Sequence, residues 1–181
     1  MFEMRTTDLP GVLLLRAPGS RDARGSFHKL MHAPSLAAAG LRTDFAEVYC
    51  STSAGGVIRG MHFQVPPHQH AKLVWCLSGT VTDVVLDLRR ASPGYGRAVA
   101  LDLDLDGAAP AGVYIPEGCA HGFAVRSSAA TLLYLVTSVH APAADAGIRW
   151  DSFGFDWGIA HPTLSDRDRL HPDLDAFATP F

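Results

Sequence analysis

The sequence is poor in cysteine and has no long hydrophobic run. Its three cysteines, Cys50, Cys76 and Cys119, are widely spaced and lie in apolar or β-forming stretches. An odd number without close pairing argues against a disulfide framework, so we expect reduced, mostly buried thiols and a cytoplasmic protein. No apolar run approaches the roughly 20 residues of a membrane span, and no basic-led apolar segment opens the chain. These absences predict a soluble protein that makes no membrane contact.

The sequence also lacks an excess of basic residues and the short motifs of several enzyme classes. Fifteen Lys and Arg residues against 18 Asp and Glu residues give a net charge of −3. This balance argues against a protein that binds nucleic acid over a broad basic face. A GxSxG motif and a glycine-rich phosphate-binding loop are both missing, which disfavours a serine hydrolase, a kinase and a nicotinamide-dependent enzyme.

Short runs of β-forming residues between glycine- and proline-rich turns make up most of the chain. Pro34 and Gly40 bound one short predicted helix. With a length of 181 residues, the pattern predicts a single domain over residues 1–181, an antiparallel β-sandwich or barrel. The tail after Trp150 is expected to wrap around it. The predicted strands are residues 11–16, 45–49, 57–63, 71–77, 80–88, 101–106, 112–115, 122–125 and 131–137, with polar turns at 19–25 and 51–56.

The most informative stretch is IRGMHFQ, residues 58–64, which is followed by KLV at residues 72–74. It places Arg59, His62 and Lys72 on short β-like runs. Together these side chains can hold an anionic substrate, remove a proton and stabilise the negative charge left behind. A second cluster, PEGCAHGF at residues 116–123, supplies His121. The leading hypothesis is therefore a polar, cationic pocket on a β scaffold.

The spacing of the histidines leaves a metal site as an alternative. His68 and His70 lie two residues apart, as metal ligands on one face of a strand do, with His62 before them and His121 after. Metal-binding cupins pair such histidines with a downstream glutamate. Here Lys72 follows His70 instead, and a fixed cation opposes metal binding. We therefore predict that the protein uses no metal.

Read in order, the motifs resemble those of the RmlC family, the dTDP-4-dehydrorhamnose 3,5-epimerases of nucleotide-sugar metabolism. The resemblance runs from about residue 10 to residue 172 and rests on a specific combination of motifs. It implies a mostly β, cupin-like antiparallel β-barrel or jelly roll with a few short helices, usually a homodimer, that needs no cofactor. The main matching motifs are DARGSF (22–27), STS (51–53), VIRGMHFQ (57–64), KLV (72–74), AHGF (120–123), Tyr134, Trp150 and LSDRD (164–168).

The resemblance also implies a reaction. The family inverts C3, C5 or both in a dTDP- or CDP-linked 4-keto-6-deoxyhexose, supplying deoxysugars for surface polysaccharide such as lipopolysaccharide O-antigen, or for glycosylated metabolites. The 4-keto group lies next to both carbons, so either C–H bond can be ionised to an enolate and reprotonated from the other face. By resemblance His62 is the base, Asp168 orients it, Lys72 stabilises the enolate and Tyr134 donates the proton.

Five positions are implied to bind the substrate. Arg24, Arg59 and Arg167 would hold the diphosphate and nucleotide. Phe27 would pack near the base or sugar, and His121 would contact the sugar.

The chain departs from the family's pattern at five further positions at or near the site. Lys29 replaces a glutamate, Glu47 and Tyr49 replace a glutamine and an asparagine, His140 replaces a second tyrosine, and Asp145 replaces a glutamate. Because Tyr49 and His140 would reshape the pocket wall, we predict that one centre is inverted predominantly. Two other functions stay open: a 3,4-ketoisomerase on the same fold, and a metal-dependent cupin oxygenase or sugar-binding module.

Overall fold

The structure is a computed structural model that describes residues 2–104 and 111–181. Its helices within these ranges are short, and none is long and apolar enough to cross a membrane. The predicted strand at 101–106 is observed up to Asp104, and its last two residues lie outside the described residues.

The elements are β1 (Glu3–Thr6), β2 (Leu13–Arg16), β3 (Gly19–Asp22), β4 (Gly25–His28), α1 (Ala33–Ala38), β5 (Glu47–Ala54), β6 (Ile58–Gln64), β7 (Lys72–Ser78), β8 (Thr80–Asp87), β9 (Ala98–Asp104), β10 (Ala111–Ile115), β11 (Cys119–Val125), β12 (Ala129–Val136), β13 (Asp145–Gly147), α2 (Asp166–Leu170) and a 3-10 turn (Leu174–Ala176).

Two antiparallel sheets face each other and enclose the core. One has the strand order β1-β2-β10-β7-β12-β5 and the other has the order β13-β6-β11-β8-β9. Val74 and Leu132 from the first sheet pack with Val85 and Phe123 from the second. This is the predicted mostly β, cupin-like jelly roll with short helices, although the described strands do not join the two sheets into a closed barrel.

Both sheets are also covered on their outer faces. On β7 the alternation that the sequence predicts is confirmed, because Val74 faces the inter-sheet core while Trp75 packs with Leu36 of α1. The aromatic tail lies against the five-stranded sheet, where Trp157 and Phe181 join a second apolar cluster. The predicted wrapping of the tail is therefore confirmed. Because each sheet is buried on two faces, its central strands read as nearly continuous apolar runs.

Two predicted turns prove wrong. Residues 51–54 continue strand β5, which pairs with β12 over eight residues, so the turn is confined to Gly55 and Gly56. Residues 19–25 are not a simple turn, because β3 and β4 pair there as a separate two-stranded hairpin. Strand β1 was not predicted either. All these segments are exposed and polar, so they lack the apolar alternation from which strands are read.

One glycine fixes the geometry of the central motif. Gly60 has a φ of 126°, and a Cβ there would lie 2.5 Å from the Cα of Gly122 on the neighbouring strand β11. A larger residue at position 60 would therefore be strained and would push the strands apart. Two residues on, His62 pairs directly with His121 across β6 and β11. The close approach of these strands sets both histidines side by side.

Candidate active site

Most of the predicted site residues line two cavities with shared walls. The larger cavity, of about 350 Å³, contains seven of them: Glu47, Tyr49, His62, Lys72, His140, Asp145 and Arg167. The smaller cavity, of about 180 Å³, shares Tyr49, His62 and Lys72 with it and adds Arg59, His121 and Tyr134. The fold thus gathers residues from β5, β6, β7, β11, β12, β13 and α2 that are far apart in sequence.

His62 is held by a buried carboxylate. Its Nε2 lies 2.7 Å from Oδ1 of Asp168, although 106 residues separate the two in sequence. The backbone N–H of Gly60 donates to the other carboxylate oxygen, and the N–H of Asp168 donates to Oγ of Ser165, the N-cap of α2. Burial raises the pKa of Asp168, but these hydrogen bonds outweigh it and hold the pKa below its usual value. The charged carboxylate accepts the Nε2 proton, which leaves Nδ1 of His62 as the basic atom.

Burial keeps the His62 imidazole neutral. Desolvation lowers the pKa of His62, while the hydrogen bond and charge of Asp168 raise it in part. The cations Lys72 and Arg167 lower it further. Because the net pKa falls below the usual value, the ring is a free base at neutral pH.

Lys72 places a cation inside the site. Its side chain is buried, and Nζ donates to the backbone carbonyl of His62 at 3.1 Å. Desolvation lowers the pKa of Lys72 to about 8, against the opposing charges of Asp83 and Asp145. The lysine is therefore charged at neutral pH, in a position to stabilise a negative oxygen at low dielectric.

Tyr134 is a buried phenol next to a second tyrosine. The rings of Tyr134 and Tyr49 stack with centroids 4.8 Å apart, and the Tyr134 hydroxyl lies 3.4 Å from Oγ of Ser51. Burial raises the pKa of Tyr134 well above its usual value, so the hydroxyl stays protonated. Such a group can donate a proton to a carbanion more basic than itself.

His121 belongs to a second buried histidine–carboxylate pair. Its Nε2 lies 2.7 Å from Oδ2 of Asp83, and both side chains are buried. The ring also meets Tyr134 edge-on, with centroids 6.0 Å apart. Sequence reasoning identified His121 but not Asp83, which pairs with it from the adjacent strand β8.

Hydrogen bonds hold the other charged side chains that line the two cavities. Arg167 donates to Asp145 at 2.7 Å, and Arg59 donates to Oγ of Ser53 at 2.8 Å. The carboxylate of Glu47 accepts from the backbone N–H of His140. The replacements at positions 47 and 140 therefore meet in the same wall.

Three predicted substrate residues lie elsewhere. Arg24, Phe27 and Lys29 are on or next to the β3–β4 hairpin and line two other surface pockets. Arg24 is paired with Asp22, and Phe27 is 64% exposed. Within one chain the structure does not bring them to the cavity of His62.

Two residues at the site were not singled out from the sequence. Gln64 donates to the backbone carbonyl of His68 and accepts from the N–H of Ala141, so it ties two loops to the end of β6. His171 meets His62 edge-on with centroids 5.7 Å apart and lies 3.9 Å from Asp168. Its spacing of three residues from Asp168 was the available signal, because such residues share one helical face.

The pKa shifts predict a bell-shaped pH dependence. Proton abstraction by His62 would need its neutral form, so kcat/KM should fall as the pH drops through its lowered pKa, on the acid side of 6.5. Stabilisation of a negative oxygen by Lys72 would need its charged form, so kcat/KM should fall again above a pH of about 8. Steady-state rates from pH 5 to 10 test this. A flat profile through pH 10 would show that the charge on Lys72 is not needed.

Comparison with known proteins identifies the family. The profile of the family described as dTDP-4-dehydrorhamnose 3,5-epimerase matches residues 6–176. A relative from Mycobacterium tuberculosis, called dTDP-4-dehydrorhamnose 3,5-epimerase, is 38% identical, and the match covers 96% of this chain and 88% of the relative.

Comparison with solved structures supports the same family. The chain superposes with a TM-score of 0.90 on NovW, a 4-keto-6-deoxy sugar epimerase from the novobiocin gene cluster of Streptomyces spheroides, at 36% identity over 97% of this chain and 88% of NovW. It superposes with a TM-score of 0.88 on ChmJ, a 3'-monoepimerase from Streptomyces bikiniensis solved with dTDP-quinovose, at 31% identity over 95% of this chain and 88% of ChmJ. This chain therefore belongs to the dTDP-4-dehydrorhamnose 3,5-epimerase family.

Proposed function

We propose that the protein is a nucleotide-sugar epimerase that inverts C3, C5 or both in a dTDP-linked 4-keto-6-deoxyhexose. The observation that carries the proposal is the contact between His62 and Asp168 at the wall of a cavity that Lys72 shares. These groups supply a base, its orienting carboxylate and a buried cation. ChmJ, which shares this fold, was solved with a dTDP-sugar. Incubation with dTDP-4-keto-6-deoxyglucose in deuterium oxide, followed by NMR, tests the proposal.

The mechanism follows from the charge states of the site. Nδ1 of neutral His62 removes the proton from the carbon next to the ketone, and the C–H electrons move into the carbonyl to form an enolate. Asp168 stabilises the resulting imidazolium through Nε2. Lys72 stabilises the enolate oxygen. Tyr134 then donates its proton to the opposite face of the same carbon, which inverts the centre. The imidazolium of His62 releases its extra proton to solvent and the phenolate of Tyr134 takes one up, so both groups return to their starting states.

The exposed hairpin supports a homodimer that completes the site. A two-stranded hairpin is marginal in stability by itself, yet this one forms a separate sheet and carries Phe27 in an exposed position together with Arg24. Strand β5, which lines the cavity, is the edge of its sheet and is exposed over most of its length. An edge strand with unpaired backbone groups readily adds another strand. The proposal is that the hairpin of one subunit reaches the substrate bound to the other.

Mixing two inactive variants tests the shared site. We expect His62→Asn and the double variant Arg24→Ala/Phe27→Ala to be separately inactive. In random mixtures about half of the dimers carry one variant of each kind, and each such dimer has one intact site. Rates after the two proteins are unfolded and refolded together should recover to about a quarter of the native value. No recovery, with dimers shown by light scattering, would place the hairpin and His62 of the same chain in one site.

We also expect one centre to be inverted predominantly. Inverting a second centre requires the first product to turn inside the pocket, and a displacement of about 1 Å can cost on the order of a hundredfold in rate. Tyr49, stacked on Tyr134, and His140, joined to Glu47, form the wall that limits this turn. ChmJ, which has the same fold, is named a 3'-monoepimerase, and this supports the expectation that one centre is inverted.

Time-resolved NMR in deuterium oxide measures both centres. We expect one of C3 and C5 to acquire deuterium at least about tenfold faster than the other. The matched variants Tyr49→Asn and His140→Tyr restore the residues of the family's pattern. Each should lower the ratio of the two labelling rates toward one. Equal labelling of both centres by the native protein would contradict the expectation.

A further inference from the structure

We propose that His62, Asp168 and His171 form a binding site for a divalent transition metal such as Zn²⁺, and that its occupation inhibits the enzyme. This site differs from the His68–His70 pair that the sequence suggested and then disfavoured. Metal binding rests on the side chains alone, whereas the inhibition rests on the proposed function.

The geometry of the three residues suits a metal. Each offers one ligand atom, and these atoms all lie within 4.8 Å of one another. Ligands of a tetrahedral zinc ion lie about 3.4 Å apart, given metal–ligand bonds of about 2.1 Å. The contact of His62 with Asp168, at 2.7 Å, must open slightly, and the 3.9 Å between His171 and Asp168 must close slightly. Two imidazoles and one carboxylate, with a fourth position open, are a known zinc ligand set.

His171 provides the second observation. Its side chain is only 12% exposed, and its Nε2 is buried without a hydrogen-bond partner among the described residues. A buried nitrogen without a partner costs free energy, which a metal bond would recover. The proposed reaction assigns no role to this ring, which lies beside the base and next to its carboxylate.

The surrounding charges permit a cation. The wall of the larger cavity carries two carboxylates, Glu47 and Asp145, and two cations, Lys72 and Arg167. Their formal charges cancel, and Asp168 adds one negative charge. Lys72 opposes a cation here as it does at the His68–His70 pair, but here one ligand, Asp168, is itself a charged carboxylate.

Metal binding and proton abstraction exclude each other. A metal bound between His62 and Asp168 takes the place of the Nε2 proton and breaks their 2.7 Å contact. The base then loses its orienting carboxylate and faces a dication, so it no longer accepts a substrate proton. The enzyme should therefore be fully active in chelator, and micromolar Zn²⁺ should inhibit it.

Co²⁺ titration measures binding without any substrate. Metal-free protein without a histidine tag should develop the visible absorption of four- or five-coordinate Co²⁺, and Zn²⁺ should displace it. His171→Ala and His171→Gln should each weaken binding at least about tenfold, which is the low end for loss of even an outer-sphere group. The control His161→Ala removes an exposed histidine and should bind as the native protein does.

Inhibition provides a separate measurement. When each protein is compared with its own metal-free activity, half-inhibition of His171→Gln should need at least about tenfold more Zn²⁺ than half-inhibition of the native protein. Equal Co²⁺ affinity in the native protein and both His171 variants would overturn the proposal, whatever the reaction proves to be. Activity that chelator abolishes and one divalent ion restores would also overturn it, because the metal would then be required.

Discussion

Replacement of His62 by asparagine should lower deuterium incorporation next to the substrate ketone by about a thousandfold, since a positioned general base contributes about 10² to 10⁴ in rate. Asparagine can still donate a hydrogen bond to Asp168, but it has no nitrogen that accepts a proton near neutral pH. The loss should appear in kcat, because the proposed role of His62 is to remove the proton from the reacting C–H bond. Single-turnover exchange followed by NMR measures it directly.

Nucleotide binding is the control for this variant. Calorimetry with dTDP should give a Kd close to the native value for His62→Asn, because the cations proposed to hold the nucleotide are unchanged. His161→Asn makes the same substitution at an exposed histidine and should exchange at the native rate. Native exchange in His62→Asn would remove this residue from the role of base.

Asp168→Asn should be almost as damaging, with kcat lower by about a hundredfold to a thousandfold. The native carboxylate accepts the Nε2 proton of His62 at 2.7 Å and also accepts from Gly60. An amide that turns its NH₂ group toward Nε2 would favour the wrong tautomer, with the proton on Nδ1. It would also remove the negative charge that stabilises the imidazolium.

The double variant and a neighbouring acid distinguish this role from a structural one. Because His62 and Asp168 act as one unit, His62→Asn/Asp168→Asn should be no slower than His62→Asn alone. Asp166→Asn, an exposed acid in the first turn of the same helix, should leave kcat unchanged. Fully multiplicative losses in the double variant would mean that Asp168 acts independently of His62.

The sequence predicted the central strands well because burial on both faces leaves a strong apolar signal. Residues 71–77, for example, alternate between the inter-sheet core and the layer of α1. The edges were predicted poorly. The second half of strand β5 and the β3–β4 hairpin are mostly exposed and polar, so only their pairing partners define them.

The site residues also divide into those that a local motif predicts and those that depend on distant parts of the chain. His62 and Lys72 were found from the chemistry of their side chains within one short motif. The pairing of His62 with Asp168, implied by the resemblance, spans 106 residues and depends on how the tail folds back onto β6. Asp83 was missed because a buried acid has no distinctive local pattern, and the one signal for His171 was its spacing of three residues from Asp168. Their importance depends on what lies across the strand or along the helix.

The most direct test of the account is one NMR experiment on the native protein and His62→Asn. Each is incubated with dTDP-4-keto-6-deoxyglucose in deuterium oxide, and C3 and C5 are followed over time. The account predicts deuterium at one or both carbons with the native protein, an inverted configuration at the labelled centre, and exchange about a thousandfold slower with His62→Asn. Equal exchange with both proteins, or no exchange at either carbon with the native protein, would contradict it.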